Sequence, residues 1–330
     1  MNQPGTTPLA IVIPAYKTKF LREALQSIAD QTDKNFQLYV GDDCSPEPVA
    51  EIVREFAGRL PLRYHRFENN LGGRSLVQQF ERCCRLTTEP WVWIFSDDDV
   101  MDAGCVAAFL AELKNTSASH DLYRFNTVWV NSTSGKSLVS PLHPQNESGA
   151  DFLLARLRGG RNSTLQELIF SRAAWEAVGG MPDFPLGWAA DDALVAKLGR
   201  QRPIRTIAGA RVNWRLSDVN LTNEQTTGSV RIKIRVSLCF LRWVSDFFKS
   251  HHPARLAEAK LSIEHKLLHE LANCWIFLDQ PTCREVDALG VDVLGHRRGW
   301  GWWKGLQLNA RLALIKILLR LKIPCEKFFA

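Results

Sequence analysis

The chain has 330 residues, 45% of them hydrophobic, enough material for one large domain or one domain plus an appendage, globular in either case. Its eight cysteines form no CxxC pair and have no histidines at zinc-ligand spacing, which argues against a structural zinc module or a dense disulfide framework and leaves reduced thiols. The net charge of +6 is unevenly spread: residues 228–330 hold 17 Lys and Arg against 9 Asp and Glu, a balance of +8, so residues 1–227 stand at about −2.

In chain order, the opening MNQPGTTPLAIVIP lacks a basic segment followed by a long apolar stretch, so no signal peptide is expected and the reading is cytoplasmic. LAIVIPAY (9–16) is a continuous apolar run closed by Pro14, too short for a substantial helix and suited to a strand covered on both faces. FLREALQSIADQT (20–32) sets Leu21, Leu25 and Ile28 at helical spacing. FQLYVGDD (36–43) predicts a second buried strand, PVAEIVREFAGR (48–59) a second helix, LRYHRF (62–67) a third strand, SLVQQFERCCRL a third helix and WVWIF a fourth strand. This alternation predicts a mostly parallel sheet flanked by helices, with ligands beyond the carboxyl ends of the strands.

Three clusters fall at those ends: PAYK (14–17), GDDCS (41–45) and SDDDV (96–100). Each has a plain structural explanation. Asp42 and Asp43 could cap the next helix, Asp97–Asp99 could form a solvated turn, and Pro14 could end a strand. Their convergence on one edge is harder to assign to turns, because burying this much negative charge without a cation or donors is costly. A divalent cation, Mg²⁺ or Mn²⁺, bridging a diphosphate to hard Asp oxygens resolves the conflict.

With these segments in order, the chain resembles the family 2 glycosyltransferases of the GT-A fold. IVIPAYK resembles that family's V-I-P-x-Y-N segment, YVGDDCSPE its V-D-D-G-S turn, ENNLGGRSL (68–76) its N-x-G loop and WVWIFSDDDV its DxD strand. ELIFSRAAWEAVGGMPDFPLGWAADDALVAKLGR (167–200) resembles its acceptor-side segment. The resemblance covers about the first 220 residues and implies the following roles. Pro14, Ala15, Tyr16, Asp42 and Asp43 would contact base and ribose, with either Asp42 or Asp43 accepting from a pyrimidine ring N–H. Asn70, Gly72, Arg74 and Asp97 would complete the nucleotide-sugar site. Asp98 would be the metal ligand, with Asp97 and Asp99 as helpers. Trp188 would lie on the acceptor side. Asp192 would be the base for an inverting single displacement, with Asp191 its neighbour. A helix start is the simpler reading of that Asp pair.

Two departures stand out. Ser217 occupies the place of a His that in relatives reaches the metal, and Ser is a poor substitute for imidazole. Val77 fills the position, seven residues after Asn70, where relatives carry an Arg; Arg74 lies one turn earlier.

The polar run TNEQTTGS (222–229) marks the expected boundary between a catalytic domain, 1–227, and a helical, basic, Trp-rich region, 228–330. Ile232, Val236, Phe240 and Trp243, and Leu261, His265, Leu268, Leu271 and Trp275, predict amphipathic stripes. Near the end, Arg297, Arg298, Trp300, Trp302, Trp303 and Lys304 precede an apolar helix broken by Arg311, Lys316 and Arg320. Those charges argue against a span and suit either an anionic membrane surface or a homodimer contact. No motif supports nucleic-acid binding.

The expectation is a metal-dependent transferase using a nucleotide-diphosphate sugar and a glycan or lipid-linked acceptor, peripheral at the inner face of the cell membrane, in cell-surface polysaccharide synthesis. The competing readings are a sugar nucleotidyltransferase, which would need a Gly-rich loop after the first strand where PAYKTKF has no Gly, and a non-catalytic sugar-nucleotide-binding protein.

Overall fold

A computed structural model describes residues 7–217, 227–274 and 279–295. The chain divides after residue 223 into two compact units.

The first unit opens with the expected alternation: β1 (Leu9–Ala15), α1 (Leu21–Ala29), β2 (Phe36–Asp42), α2 (Val49–Glu55), β3 (Leu62–Arg66), α3 (Leu76–Cys84) and β4 (Trp91–Ile94). Buried Leu21, Ala24, Leu25 and Ile28 form the stripe that holds α1 to the sheet. Ser75 starts α3 by accepting the Gln78 N–H with its side chain. The next elements are β5 (Val100–Met101), α4 (Cys105–Asn115), β6 (Leu122–Asn131), β7 (Ser137–Val139), β8 (Asn146–Glu147) and α5 (Gly149–Leu157). A 3₁₀ turn (Leu165–Glu167), β9 (Leu168–Ser171), α6 (Arg172–Ala177), α7 (Ala190–Leu198) and β10 (Ile204–Leu216) complete the unit.

The sheet runs β3-β2-β1-β4-β9-β6-β10-β5, with β7 on β6 and β8 on β10. β1 pairs in parallel with β2 and β4, and β10 in parallel with β6. β9 is inserted antiparallel between β4 and β6, so the expected mostly parallel sheet is mixed in its second half. Strands β1, β2, β3, β4, β6 and β10 all end on one edge, where the acidic clusters stand.

Aromatic packing fixes the centre of the sheet. Trp93 stacks on Phe125 with ring centroids 5.3 Å apart, and its indole N–H donates to the Gln166 carbonyl at 2.7 Å. That bond satisfies a buried donor and pins the 3₁₀ turn before β9. Arg124, fully buried in β6, pairs with Glu147 at 2.6 Å, and Arg161 reaches the other Glu147 oxygen at 3.1 Å. α5 and α7 meet backbone to backbone: the Gly149 N–H donates to the Gly199 carbonyl at 2.8 Å. A Cβ on Gly149 would lie 2.3 Å from the Ala196 carbonyl oxygen.

The second unit holds α8 (Thr227–His251), α9 (Leu256–Cys274), α10 (Gln280–Leu289) and a π-helical turn (Gly290–Leu294). α8 packs on α9 and α10, and pairs Arg231 with Asp279 (3.4 Å), Arg235 with Glu285 (3.1 Å) and Arg242 with Asp292 (2.7 Å). The predicted stripes are only partly the buried faces. Val236, Phe240 and Leu271 are buried, whereas Ile232 and Leu261 are exposed, and Ile234, Leu241, Val244, Ile263 and Leu267 take the covered positions. Helices this rich in apolar residues offer more than one face at 3.6-residue spacing, and tertiary packing selects among them. Trp275 and Arg297, Arg298, Trp300, Trp302, Trp303 and Lys304 lie outside the described residues. Among the described residues, no helix is long and apolar enough to cross a membrane.

Candidate active site at the carboxyl edge of the sheet

The three clusters are joined by direct hydrogen bonds. One Asp97 carboxylate oxygen accepts the backbone N–H groups of Tyr16 (2.9 Å) and Lys17 (3.0 Å), tying the end of β1 to the end of β4. The Asp43 N–H donates to the Ala15 carbonyl at 2.9 Å, and the Ser45 hydroxyl to the Tyr16 carbonyl at 2.5 Å. Pro14 and Ala15 thus sit in the floor, while the Tyr16 ring is 40% exposed and open to a planar ligand.

The two aspartates after β2 differ in work. Asp42, fully buried, accepts from the Ser45 N–H (2.8 Å), the Tyr64 hydroxyl (2.6 Å) and Arg66 (2.7 Å). Burial and the Asp42 charge push the Tyr64 phenol up to about 12. Asp43 organises the N-x-G loop: it accepts from the N–H groups of Leu71 (2.7 Å) and Gly72 (2.8 Å), from the Asn70 amide (3.1 Å) and from Arg82. Gly72 lets the loop approach this closely, since a Cβ would meet the Asp43 carboxylate at 2.6 Å and force it to shift. Arg74 is exposed at the mouth of this loop.

In the triplet, Asp99 accepts the Arg215 N–H at 2.6 Å, and the Arg215 guanidinium donates to the Asp98 carbonyl at 2.7 Å. Burial and the Asp98 charge push Asp97 up to about 6 and raise Asp99 well above the ordinary carboxylate range. The partly exposed Asp98 carboxylate accepts from the Ser96 hydroxyl. Among the described residues, no group of three His, Cys, Asp or Glu side chains forms a ready-made metal cage. The donor set suits a cation that arrives with its diphosphate, because Mg²⁺ keeps several waters and binds through one or two carboxylates plus phosphate oxygens. Such a cation would offset the Asp98 charge, which adds to burial in raising Asp97 and Asp99. Ser217, in the place of the expected His, is buried.

The 167–200 segment is fastened to the same region. Asp183 accepts from the Ser75 hydroxyl (2.6 Å) and the Gln78 amide (2.7 Å) at the start of α3, directly after the N-x-G loop. Leu186, Gly187 and Ala189 have left-handed φ values of 62°, 63° and 57°, strained at Leu186 and Ala189, which re-aim the chain before α7. Trp188 lies partly exposed within it. Asp191 and Asp192 occupy the first turn of α7. Asp192 is buried and held side-on by the Arg156 Nε, 3.0 Å from each carboxylate oxygen. Asp191 is partly exposed, and burial of its carboxyl and the adjacent Asp192 charge raise its pKa. The two carboxylates thus differ in surroundings, Asp192 being buried against a cation and Asp191 partly exposed.

Arg82, Arg215 and Arg156 escaped the sequence reading. Arg82 lies five residues, about one and a half turns, beyond the Val77 position where an Arg was sought. Its guanidinium sits 3.8 Å over the Phe67 ring. Arg215 stands two residues before Ser217 and was visible only as a charged residue in a strand. No local signal marks Arg156, whose partner is 36 residues away.

Residues 10–157 match the family described as glycosyl transferase family 2. An uncharacterized glycosyltransferase of Haemophilus influenzae is 29% identical over 155 residues, 46% of this chain and 50% of that protein. The poly(ribitol-phosphate) beta-N-acetylglucosaminyltransferase TarS of Staphylococcus aureus is 33% identical over 67 residues, 19% of this chain and 12% of TarS. The matched stretches thus span half or less of these relatives. The structure of TarS 1–349 in complex with UDP-GlcNAc aligns with a TM-score of 0.56 at 14% identity, covering 96% of this chain and 93% of that one. A mannosyltransferase of Pyrobaculum calidifontis in complex with GDP-Man and Mn²⁺ aligns with a TM-score of 0.50 at 15% identity, covering 94% and 87%. These likenesses show the GT-A fold.

Proposed function

We propose that the chain, whose residues 10–157 match glycosyl transferase family 2, moves a sugar from a nucleoside-diphosphate sugar to a hydroxyl of a glycan or lipid-linked acceptor, with inversion and with a divalent cation. The observation that carries this reading is the Asp97 carboxylate bound to the Tyr16 and Lys17 N–H groups, which brings the end of β1 and the Asp97–Asp99 triplet to one place on the sheet edge. The bound nucleotide sugars of the two structural neighbours agree with it.

The nucleotide lies along Pro14–Tyr16 and the Asp42–Asp43 turn. Asp43 acts mainly by shaping the Asn70–Gly72 loop, which leaves Asp42 as the better acceptor for a base N–H. Arg74 is placed to reach the diphosphate. Asp98, helped by Asp97 and Asp99, would hold Mg²⁺ or Mn²⁺, which when bound offsets the charge building on the departing diphosphate. Asp192, with Asp191 as its neighbour, takes the proton of the attacking hydroxyl, so that the acceptor enters opposite the leaving group, and Trp188 borders the acceptor's approach. The basic, Trp-rich residues Arg297–Lys304 suit an acceptor presented at an anionic membrane surface.

A panel of UDP-, GDP- and dTDP-sugars tests this by thermal unfolding with Mn²⁺ and with EDTA. A donor present at 100 times its Kd stabilises the protein by about 2.7 kcal/mol. One donor family is expected to raise Tm in Mn²⁺ and not in EDTA. No shift with any sugar nucleotide would overturn the proposal.

A further inference from the structure

α3 begins without an acidic residue in its own first turn, although the unpaired N–H groups at a helix start favour a negative charge there. The charge comes from 108 residues away in sequence. Asp183, in the stretch before α7, accepts from the Ser75 hydroxyl at 2.6 Å with one carboxylate oxygen and from the Gln78 amide at 2.7 Å with the other. Ser75 is also the cap of α3, its side chain accepting the Gln78 N–H at 3.1 Å. Asp183 therefore grips the cap itself.

Ser75 closes the N-x-G loop as well. Its N–H and that of Arg74 donate to the Leu71 carbonyl at 2.8 and 2.9 Å, and the Gly73 N–H donates to the Asn70 side chain at 2.8 Å. The loop thus has two anchors: Asp43 holds its Asn70–Gly72 end, and Asp183 its Ser75 end. The second anchor belongs to a stretch that lies along α3. A Cβ on Gly180 would lie 2.5 Å from the Glu81 carboxylate, and one on Gly187 would lie 3.2 Å from the Leu76 side chain, so the chain follows the helix from Glu81 back to its start. Asp183 is exposed, where water alone would satisfy its carboxylate. Its two bonds serve the helix start and the loop rather than a buried charge.

Resting on the transferase reading above, we propose that Asp183 is a positioning residue for the donor: it holds the Ser75 end of the loop that Asp43 shapes, and it joins that loop to the Leu186–Ala189 stretch. Donor affinity is then set partly by a carboxylate outside the acidic clusters, acting through Ser75 and Gln78.

The test applies two readouts to the full-length protein carrying Asp183→Asn, which keeps the shape and removes the charge, or Asp183→Glu, which keeps the charge. Amide hydrogen exchange without nucleotide reads the joint. Asp183→Asn should speed exchange about threefold or more at residues 70–78, while the amides of β1, β2 and β4 keep wild-type rates. Calorimetry in Mn²⁺ reads its use, with the sugar nucleotide selected from the UDP-, GDP- and dTDP-sugar panel. Asp183→Asn should raise the donor Kd about threefold to tenfold, the range of one ordinary hydrogen bond, at wild-type stoichiometry, and Asp183→Glu should recover part of that affinity. Wild-type exchange at residues 70–78, a wild-type Kd in Asp183→Asn, or a reduced stoichiometry at unchanged Kd, the mark of a smaller folded fraction, would overturn the proposal. Failure of the transferase reading shows differently, as a wild-type protein that binds no donor at all.

Discussion

Gly72 lies so close to the Asp43 carboxylate that one added carbon decides the shape of the loop. Gly72→Ala would put a Cβ 2.6 Å from an Asp43 oxygen and force that carboxylate off the Leu71 and Gly72 N–H groups. Overpacking of this kind costs about 1–3 kcal/mol, here at a loop rather than in the core. Donor affinity is expected to fall about tenfold or more in calorimetry, with Tm only slightly lowered; wild-type affinity would show that the loop does not shape the donor site. At the Asp191–Asp192 pair the prediction is a pH profile. Burial and the Asp192 charge raise the Asp191 pKa, so the pair takes up a proton, and transfer should be lost, as pH falls through that raised value, above the ordinary Asp range of about 4. Asp192→Asn should lower the rate by roughly 10² or more, and Asp191→Asn should move the acid limb to lower pH. A limb unchanged in both variants would assign the proton transfer elsewhere.

Elements explain which parts of the molecule the sequence disclosed. β1, β2 and β4 are short apolar runs buried on both faces, and α1 carries a clean buried stripe, so their residues declare them. β6 does not, because buried Arg124 interrupts LYRFNTVWVN and is matched by Glu147, 23 residues on. Only the folded chain shows that the charge is paired. The two-residue β5 and β8 and the antiparallel β9 likewise depend on neighbours distant in sequence. Two substitutions probe these joints. Glu147→Gln leaves Arg124 and Arg161 without their shared anion, and breaking a buried pair costs about 3–5 kcal/mol. A large drop in Tm is expected, and a drop of less than about 2 °C would show the pair to be solvated. Gly149→Ala drives a Cβ into the Ala196 carbonyl. It should lower stability by about 1–3 kcal/mol in urea unfolding, and unchanged unfolding would mean that α5 and α7 can separate without cost.

Across the whole molecule, the proposed catalytic groups divide between two sources. The donor side of the proposal rests on strand ends, which stand in the sequence as three acidic or polar clusters after apolar runs. The acceptor side rests on α7 and the 186–189 stretch, where the Asp191–Asp192 pair was visible but its contact with Arg156 of α5 was not. This division predicts that binding and chemistry can be broken separately. The most direct measurement is calorimetric titration, in Mn²⁺, of the donor chosen by thermal shift, into Asp98→Ala and Asp192→Asn side by side, with turnover measured on the same samples. Asp98→Ala should lose metal-dependent binding, while Asp192→Asn should keep wild-type affinity and lose turnover by roughly 10² or more. Wild-type donor affinity in Asp98→Ala, or equal loss of binding in both variants, would contradict the placement of a metal-assisted sugar-nucleotide site at this edge of the sheet.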